Sequence, residues 1–183
     1  MRTPDSNEDI DGFAFPIAEE DYLISSQFGA RISPVLNIEM KHQGLDIVSV
    51  YGAQVVAIES GIVVNHWPPP GTPAPNGVYQ GHPVYGGMIE IEHSNGFKSL
   101  YAHLSWTRVK TGQEILKGEI IGRIGGTGVS TGEHLHLEIR FNNEPVNPVL
   151  YINVESGRGL SICLIRFMNG ESRRNNKENR RCR

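Results

Sequence analysis

Cysteine is nearly missing from this chain: of 183 residues only Cys163 and Cys182 are of this type, and both lie near the C-terminus. That excludes a disulfide-stapled scaffold and a cysteine-built structural zinc site. Long apolar runs are missing as well. No stretch approaches the roughly 18 apolar residues that a membrane-spanning helix needs, and the segment from Leu160 to Met168 is short and broken by Arg166. The first residues, from Met1 to Asp9, contain no hydrophobic region, so no signal peptide is expected there. Apolar residues at helical spacing over ten or more positions are also lacking. Neither sign of charge dominates overall, with 17 basic and 20 acidic residues, but they are not mixed evenly.

What is present is a dense series of short strand-like runs. They cover Gly12–Phe15, Leu45–Val50, Gln54–Ile58, Gly61–Asn65, Met88–His93, Lys98–His103, Glu119–Ile124 and His134–Phe141, punctuated by Gly, Asn and Pro. Ser94-Asn-Gly96 between two alternating runs is a hairpin signal. The expected class is all-β and mainly antiparallel, with few or no helices. Between Trp67 and Gly87 stand Pro68, Pro69, Pro70, Pro73, Pro75 and Pro83, six of eleven prolines, so this stretch is expected to be an irregular connection and not a central strand. Charge divides the chain further. From Gly157 onward eight basic residues face two acidic ones, a formal +6, leaving nine basic and eighteen acidic elsewhere, a formal −9. The expected organisation is a polar segment at 1–11, one acidic domain at 12–155, and a basic, disordered tail at 156–183 whose charge would favour polyanions.

The chemistry gathers in His42-Gln-Gly-Leu-Asp46, Tyr101-Ala-His103-Leu104 and His134-Leu-His136. On a strand, His134 and His136 project from one face about 6 to 7 Å apart. His42 and Asp46 would be about 13 Å apart if fully extended, too far for one ion, so the chain must bend between them. Gly44 is the residue that permits a bend. Two histidines and one carboxylate leave a fourth tetrahedral position open for water, which is the catalytic arrangement of zinc. Spacing alone leaves open which of His134 and His136 is a ligand. The HExxH signature is absent, so histidine is the natural general base.

These motifs together resemble the lysostaphin-type zinc endopeptidases, which cut peptide cross-links in bacterial peptidoglycan. The resemblance runs from about Phe15 to Pro148. It includes Ser26-Gln-Phe-Gly-Ala-Arg31, Ala57-Ile-Glu-Ser-Gly61, Gly118-Glu-Ile-Ile-Gly122, Gly125-Gly-Thr-Gly128, Ser130-Thr-Gly132 and His134-Leu-His-Leu-Glu138 in addition to the histidine segments. It implies the duplicated hybrid motif fold, a β-sandwich or β-roll with a substrate groove across one sheet. It further implies that His42, Asp46 and His136 bind one Zn2+, that His103 and His134 are the catalytic pair, and that water on the zinc is the nucleophile. The implied partner is a peptidoglycan peptide, with no nucleic acid, in the cell envelope.

Three further residues are candidate substrate contacts. Arg31 can hold a substrate carboxylate bidentately or decorate the surface. Tyr101, two residues before His103, would share its strand face and donate to a developing oxyanion, or else pack in the core. Tyr85, with Trp67, Tyr79 and His82, lies in the proline-rich stretch that would wall the groove. Glu138, two beyond His136, is a candidate partner for an imidazole N–H. The alternative to an enzyme is a non-catalytic wall-binding module or activator of the same fold, in which one or more zinc ligands would be missing.

Overall fold

A computed structural model describes residues 12–32 and 38–153; the expected polar segment at 1–11 and basic tail at 156–183 lie outside the described residues. The architecture is all-β. Its central sheet is antiparallel, in the order Tyr22–Ser26, Leu45–Ser49, Leu135–Phe141, Phe97–Leu104, Gly87–Glu92, Gly61–Trp67 and Glu114–Ile115, with Glu144–Val146 added beside the far half of Leu135–Phe141. A three-stranded sheet of Trp106–Thr107, Ile120–Arg123 and Gln54–Val56 packs against it. Two short ribbons complete the fold, Gly29–Ile32 with Glu39–His42 and Pro73–Ala74 with Gly77–Val78. Helical structure among the described residues is limited to two single turns, Ser94–Gly96 and Pro148–Leu150.

Strand alternation decides what is core and what is site. Along Leu135–Phe141, Leu135, Leu137 and Ile139 turn into the apolar core with Ile47, Val55, Ile58, Ile89, Ile91 and Ile121. His136, Glu138 and Arg140 therefore lie on the opposite face. A small apolar cluster of Met88, Leu100 and Ala102, with Tyr85 packed against it, lies on that face too. Full burial of each large core side chain contributes about 1.5–3 kcal/mol, so a register slip that exchanged Leu137 for His136 would be strongly opposed.

The strands expected at Leu45–Val50, Met88–His93 and Lys98–His103 are present with small shifts in their ends, and Ser94–Gly96 does join two antiparallel partners. Gly12–Phe15 differs. It contributes one isolated bridge, Phe13 to Ile152, and no strand. The proline-rich stretch is irregular apart from the Pro73–Val78 ribbon and an isolated bridge between His82 and Gly86.

Candidate metal centre

Register brings the metal-ligating residue types together. His136 is paired directly with Asp46 on one side and with Ala102 on the other. The ribbon strand Glu39–His42 ends at His42, the chain bends through Gln43 and Gly44, and Leu45 begins the next strand. Gly44 is needed for space: a Cβ there would lie 2.8 Å from His136 Cε1 and 2.9 Å from its Nε2, and 2.5 Å from Leu137 O.

Three side-chain atoms converge. His42 Nε2 lies 3.1 Å from Asp46 Oδ1 and 3.1 Å from His136 Nδ1, and His136 Nδ1 lies 2.8 Å from Asp46 Oδ1. Each residue is buried. His42 Nδ1–H donates to Gln27 O at 2.7 Å, which leaves Nε2 with a lone pair. His136 Nε2 faces Glu138 Oε1 at 3.2 Å, and with the proton there Nδ1 carries a lone pair as well. Two nitrogen lone pairs and a carboxylate oxygen then face one point and repel one another unless a cation lies between them. Donors bound at zinc distances lie about 3.3 Å apart in a tetrahedron, so the observed triangle is a slightly contracted version of that set. The residues fit a zinc ion.

The electrostatics agree with a cation site. Without a metal, protons on the two rings take its place: burial pushes the Asp46 carboxyl up, but hydrogen bonds and charge from His136 and His42 outweigh it and hold it well below the usual carboxylate range. Burial lowers His136, and Asp46 and Glu138 outweigh that in turn and raise it. Two carboxylates around one imidazole attract positive charge, whether a proton or a metal. Arg31 Nη1 donates to the other Asp46 oxygen, Oδ2, at 2.8 Å, which leaves Oδ1 directed at the two histidines.

Two more imidazoles border this point. The His103 and His134 ring centroids are 4.7 Å apart, and His103 is 5.8 Å from His136. His134 Nε2 lies 3.7 Å from Asp46 Oδ1, and its Nδ1–H donates to Gly132 O at 2.9 Å. His103 has φ of +62°, a conformation that costs a non-glycine residue roughly 1–3 kcal/mol. Two loops hold it there: its backbone N–H donates to Tyr85 O at 2.8 Å, and Nδ1–H donates to Thr127 O at 2.8 Å. Burial, reinforced by the neighbouring His134 and His136, pushes His103 down to about 4 against the opposing pull of Thr127 O and Asp46. It is a neutral imidazole at pH 7.

Residues 40–148 match the model of Peptidase family M23. The chain belongs to that family. It is 40% identical over 127 residues to the DD-carboxypeptidase/endopeptidase Mpg of Neisseria meningitidis, a match that covers 69% of this chain and 26% of Mpg. The fold is similar to that of a zinc-containing peptidase from Vibrio cholerae, with TM-score 0.63, 32% identity, and coverage of 75% of this chain and 39% of that one. It is also similar to the catalytic domain of lysostaphin from Staphylococcus simulans, with TM-score 0.57, 28% identity, and coverage of 70% and 90%. The chain spans about a quarter of the length of the curated relatives it matches.

Within this M23 domain the candidate substrate contacts fare differently. Tyr101 is corrected: it is fully buried in the core, and its Oη accepts from Ile58 N–H at 2.9 Å and lies 3.0 Å from Ser99 Oγ. The left-handed conformation at His103, with a register shift between Tyr101 and Leu104, breaks the alternation that would have put the two on one face. Arg31 is engaged with Asp46 and Ser26. Tyr85 is half-buried, stacks on His136 at 5.9 Å, and turns its hydroxyl to Glu138 Oε1 at 2.7 Å. Trp67 and Tyr79 are exposed, and His82 packs between Trp67 and Tyr85. The sequence reading did not identify Gln27 and Thr127, which act through backbone carbonyls that carry no residue-type signal.

Proposed function

We propose that this chain is the zinc-dependent endopeptidase domain of a cell-envelope protein, and that it hydrolyses peptide cross-links or stem peptides of bacterial peptidoglycan. The observation that carries this reading is the convergence of His42, Asp46 and His136 on one point that His103 and His134 also border. The relatives' names, a DD-carboxypeptidase/endopeptidase and a peptidoglycan DD-endopeptidase, support the substrate class. No helix among the described residues is long and apolar enough to cross a membrane.

Bound zinc supplies Lewis acidity, which polarises a carbonyl and makes water acidic near neutral pH. The side chains supply the proton handling. With Nδ1–H of His103 committed to Thr127 O and Nδ1–H of His134 to Gly132 O, each ring presents Nε2 as an acceptor. As the C–O bond forms at the scissile carbonyl, an Nε2 takes the proton of the attacking water. As the C–N bond breaks, the same proton passes to the departing amine. The second imidazole stabilises the developing negative charge only when it carries a proton on Nε2 as well as Nδ1, since an oxyanion needs an N–H donor.

Zinc occupancy is what separates an enzyme from a wall-binding module of the same fold. The purified chain is expected to hold about one tightly bound zinc ion, His136→Ala to lose it, and His103→Ala to keep it while losing cleavage by about 10²–10⁴-fold. Metal analysis beside a peptidoglycan-release assay reads both. A folded wild-type chain that takes up no zinc at neutral pH contradicts the proposal.

A further inference from the structure

Glu138 is a buried carboxylate, 1% exposed, with a separate partner set on each oxygen. Oε2 receives Arg140 Nε at 2.9 Å and Nη2 at 2.6 Å. Oε1 receives Tyr85 Oη at 2.7 Å and faces His136 Nε2 at 3.2 Å. Both guanidinium N–H groups converge on the one oxygen, Oε2, and anchor that end of the carboxylate with charge-assisted hydrogen bonds. With Oε2 so anchored, Oε1 is left to Tyr85 and His136. The geometry follows from alternation, since His136, Glu138 and Arg140 occupy successive positions on one face of Leu135–Phe141 and each reaches its neighbour.

An imidazole offers two nitrogens to a metal, and the one that binds is set by the hydrogen bond the other makes. We propose that Glu138 is the positioning residue that assigns Nδ1 of His136 to the metal, by accepting a hydrogen bond from Nε2–H, and that Arg140 and Tyr85 hold Glu138 in place to do so. Tyr85 constrains the ring twice, by the hydroxyl that shares Oε1 and by stacking on the imidazole at an interplanar angle of 25°. Its backbone carbonyl also holds the His103 N–H. Tyr85 thus fixes the orientation of His136 and the backbone of His103 from one loop residue. An Arg140–Glu138 pair serving stability alone would not require Oε1 to reach the ring.

This inference rests on the zinc reading of the site, and its test separates the two. Zinc affinity is measured by competition with a chromophoric chelator for wild type, Glu138→Met and Glu138→Gln, and long-range 1H–15N spectra identify which His136 nitrogen carries the proton and which the metal. The expected results are zinc on Nδ1 and a proton on Nε2 in the wild type. Glu138→Met should bind zinc about 10–100-fold more weakly and show mixed tautomers. Glu138→Gln, whose amide oxygen can still accept from His136 Nε2–H but whose NH2 group can no longer accept from Arg140, should keep the wild-type tautomer and lose less affinity than Glu138→Met. Wild-type zinc on Nε2 overturns the inference, as does equal weakening with equally mixed tautomers in the Met and Gln variants, because then an acceptor oxygen facing the ring makes no difference. Wild-type affinity in a folded Glu138→Met chain also overturns it. A wild-type chain that binds no zinc overturns the metal reading itself. The wild-type and Gln spectra decide the matter even if the Met variant does not fold.

Discussion

Asp46 commits its two oxygens to different tasks: Oδ1 meets His42 and His136, and Oδ2 takes Arg31 Nη1. The guanidinium orients the carboxylate without occupying the oxygen that faces the histidines. On the other side of the sheet, Tyr101 Oη, Ser99 Oγ and His93 Nε2 form a continuous buried chain that ends with His93 Nδ1–H donating to Ser60 O at 2.9 Å. It satisfies polar groups behind the site, and Tyr101 is fully buried on the core side of the sheet. Tyr101→Phe is therefore expected to leave cleavage near the wild-type rate while destabilising the fold by about 1–3 kcal/mol, because the Ile58 N–H loses its acceptor. Denaturant unfolding beside a peptidoglycan-release assay measures both. A large fall in activity with unchanged stability would restore Tyr101 as an oxyanion donor.

The bend between Glu39–His42 and Leu45–Ser49 sets how closely His42 and Asp46 can approach. Gly44 is not in the left-handed region, so its role is to clear room for His136. Gly44→Ala should press on both the Leu137 carbonyl and the His136 ring, lowering stability and weakening zinc binding together, which thermal unfolding and zinc titration read; unchanged affinity would show that the ring has room to move. At this scale the sequence was legible wherever alternation is strict. The hairpin around Ser94-Asn-Gly96, the shared face of His134 and His136, and the position of Glu138 all follow from a period of two. Alternation failed at His103, where a left-handed residue held by two distant loops reverses the face, and no local signal announces it. The strands Tyr22–Ser26, Gly29–Ile32 and Glu39–His42 were missed because they are short, mixed in polarity and stabilised by partners elsewhere in the chain. The Arg31 to Asp46 contact has the same origin, a tertiary approach across fifteen positions.

Over the whole molecule, buried ionisable groups set the response to acid. His93 is lowered by burial, despite Ser60 O and Glu59, and His103 by burial and its histidine neighbours. Each binds a proton more readily when unfolded, near pH 6.5, so its contribution is complete above that pH and is lost as pH falls toward the folded value, about 4 for His103. Glu138 is raised by burial but pulled down to about 2 by His136, Tyr85 and Arg140, so its contribution is lost on going below about 4.5 toward 2. The melting temperature of the metal-free chain is expected to fall between pH 6.5 and 4 and again toward pH 2; a rise between pH 6 and 4 would contradict this accounting. The central claim concerns chemistry, and mass spectrometry of peptides released from purified cross-linked peptidoglycan tests it most directly. Zinc-loaded wild type should convert cross-linked peptides to uncrosslinked ones with water added across a single peptide bond, and a chelator should abolish the reaction. Unaltered peptidoglycan after incubation with a folded chain that holds its full complement of zinc would contradict the account.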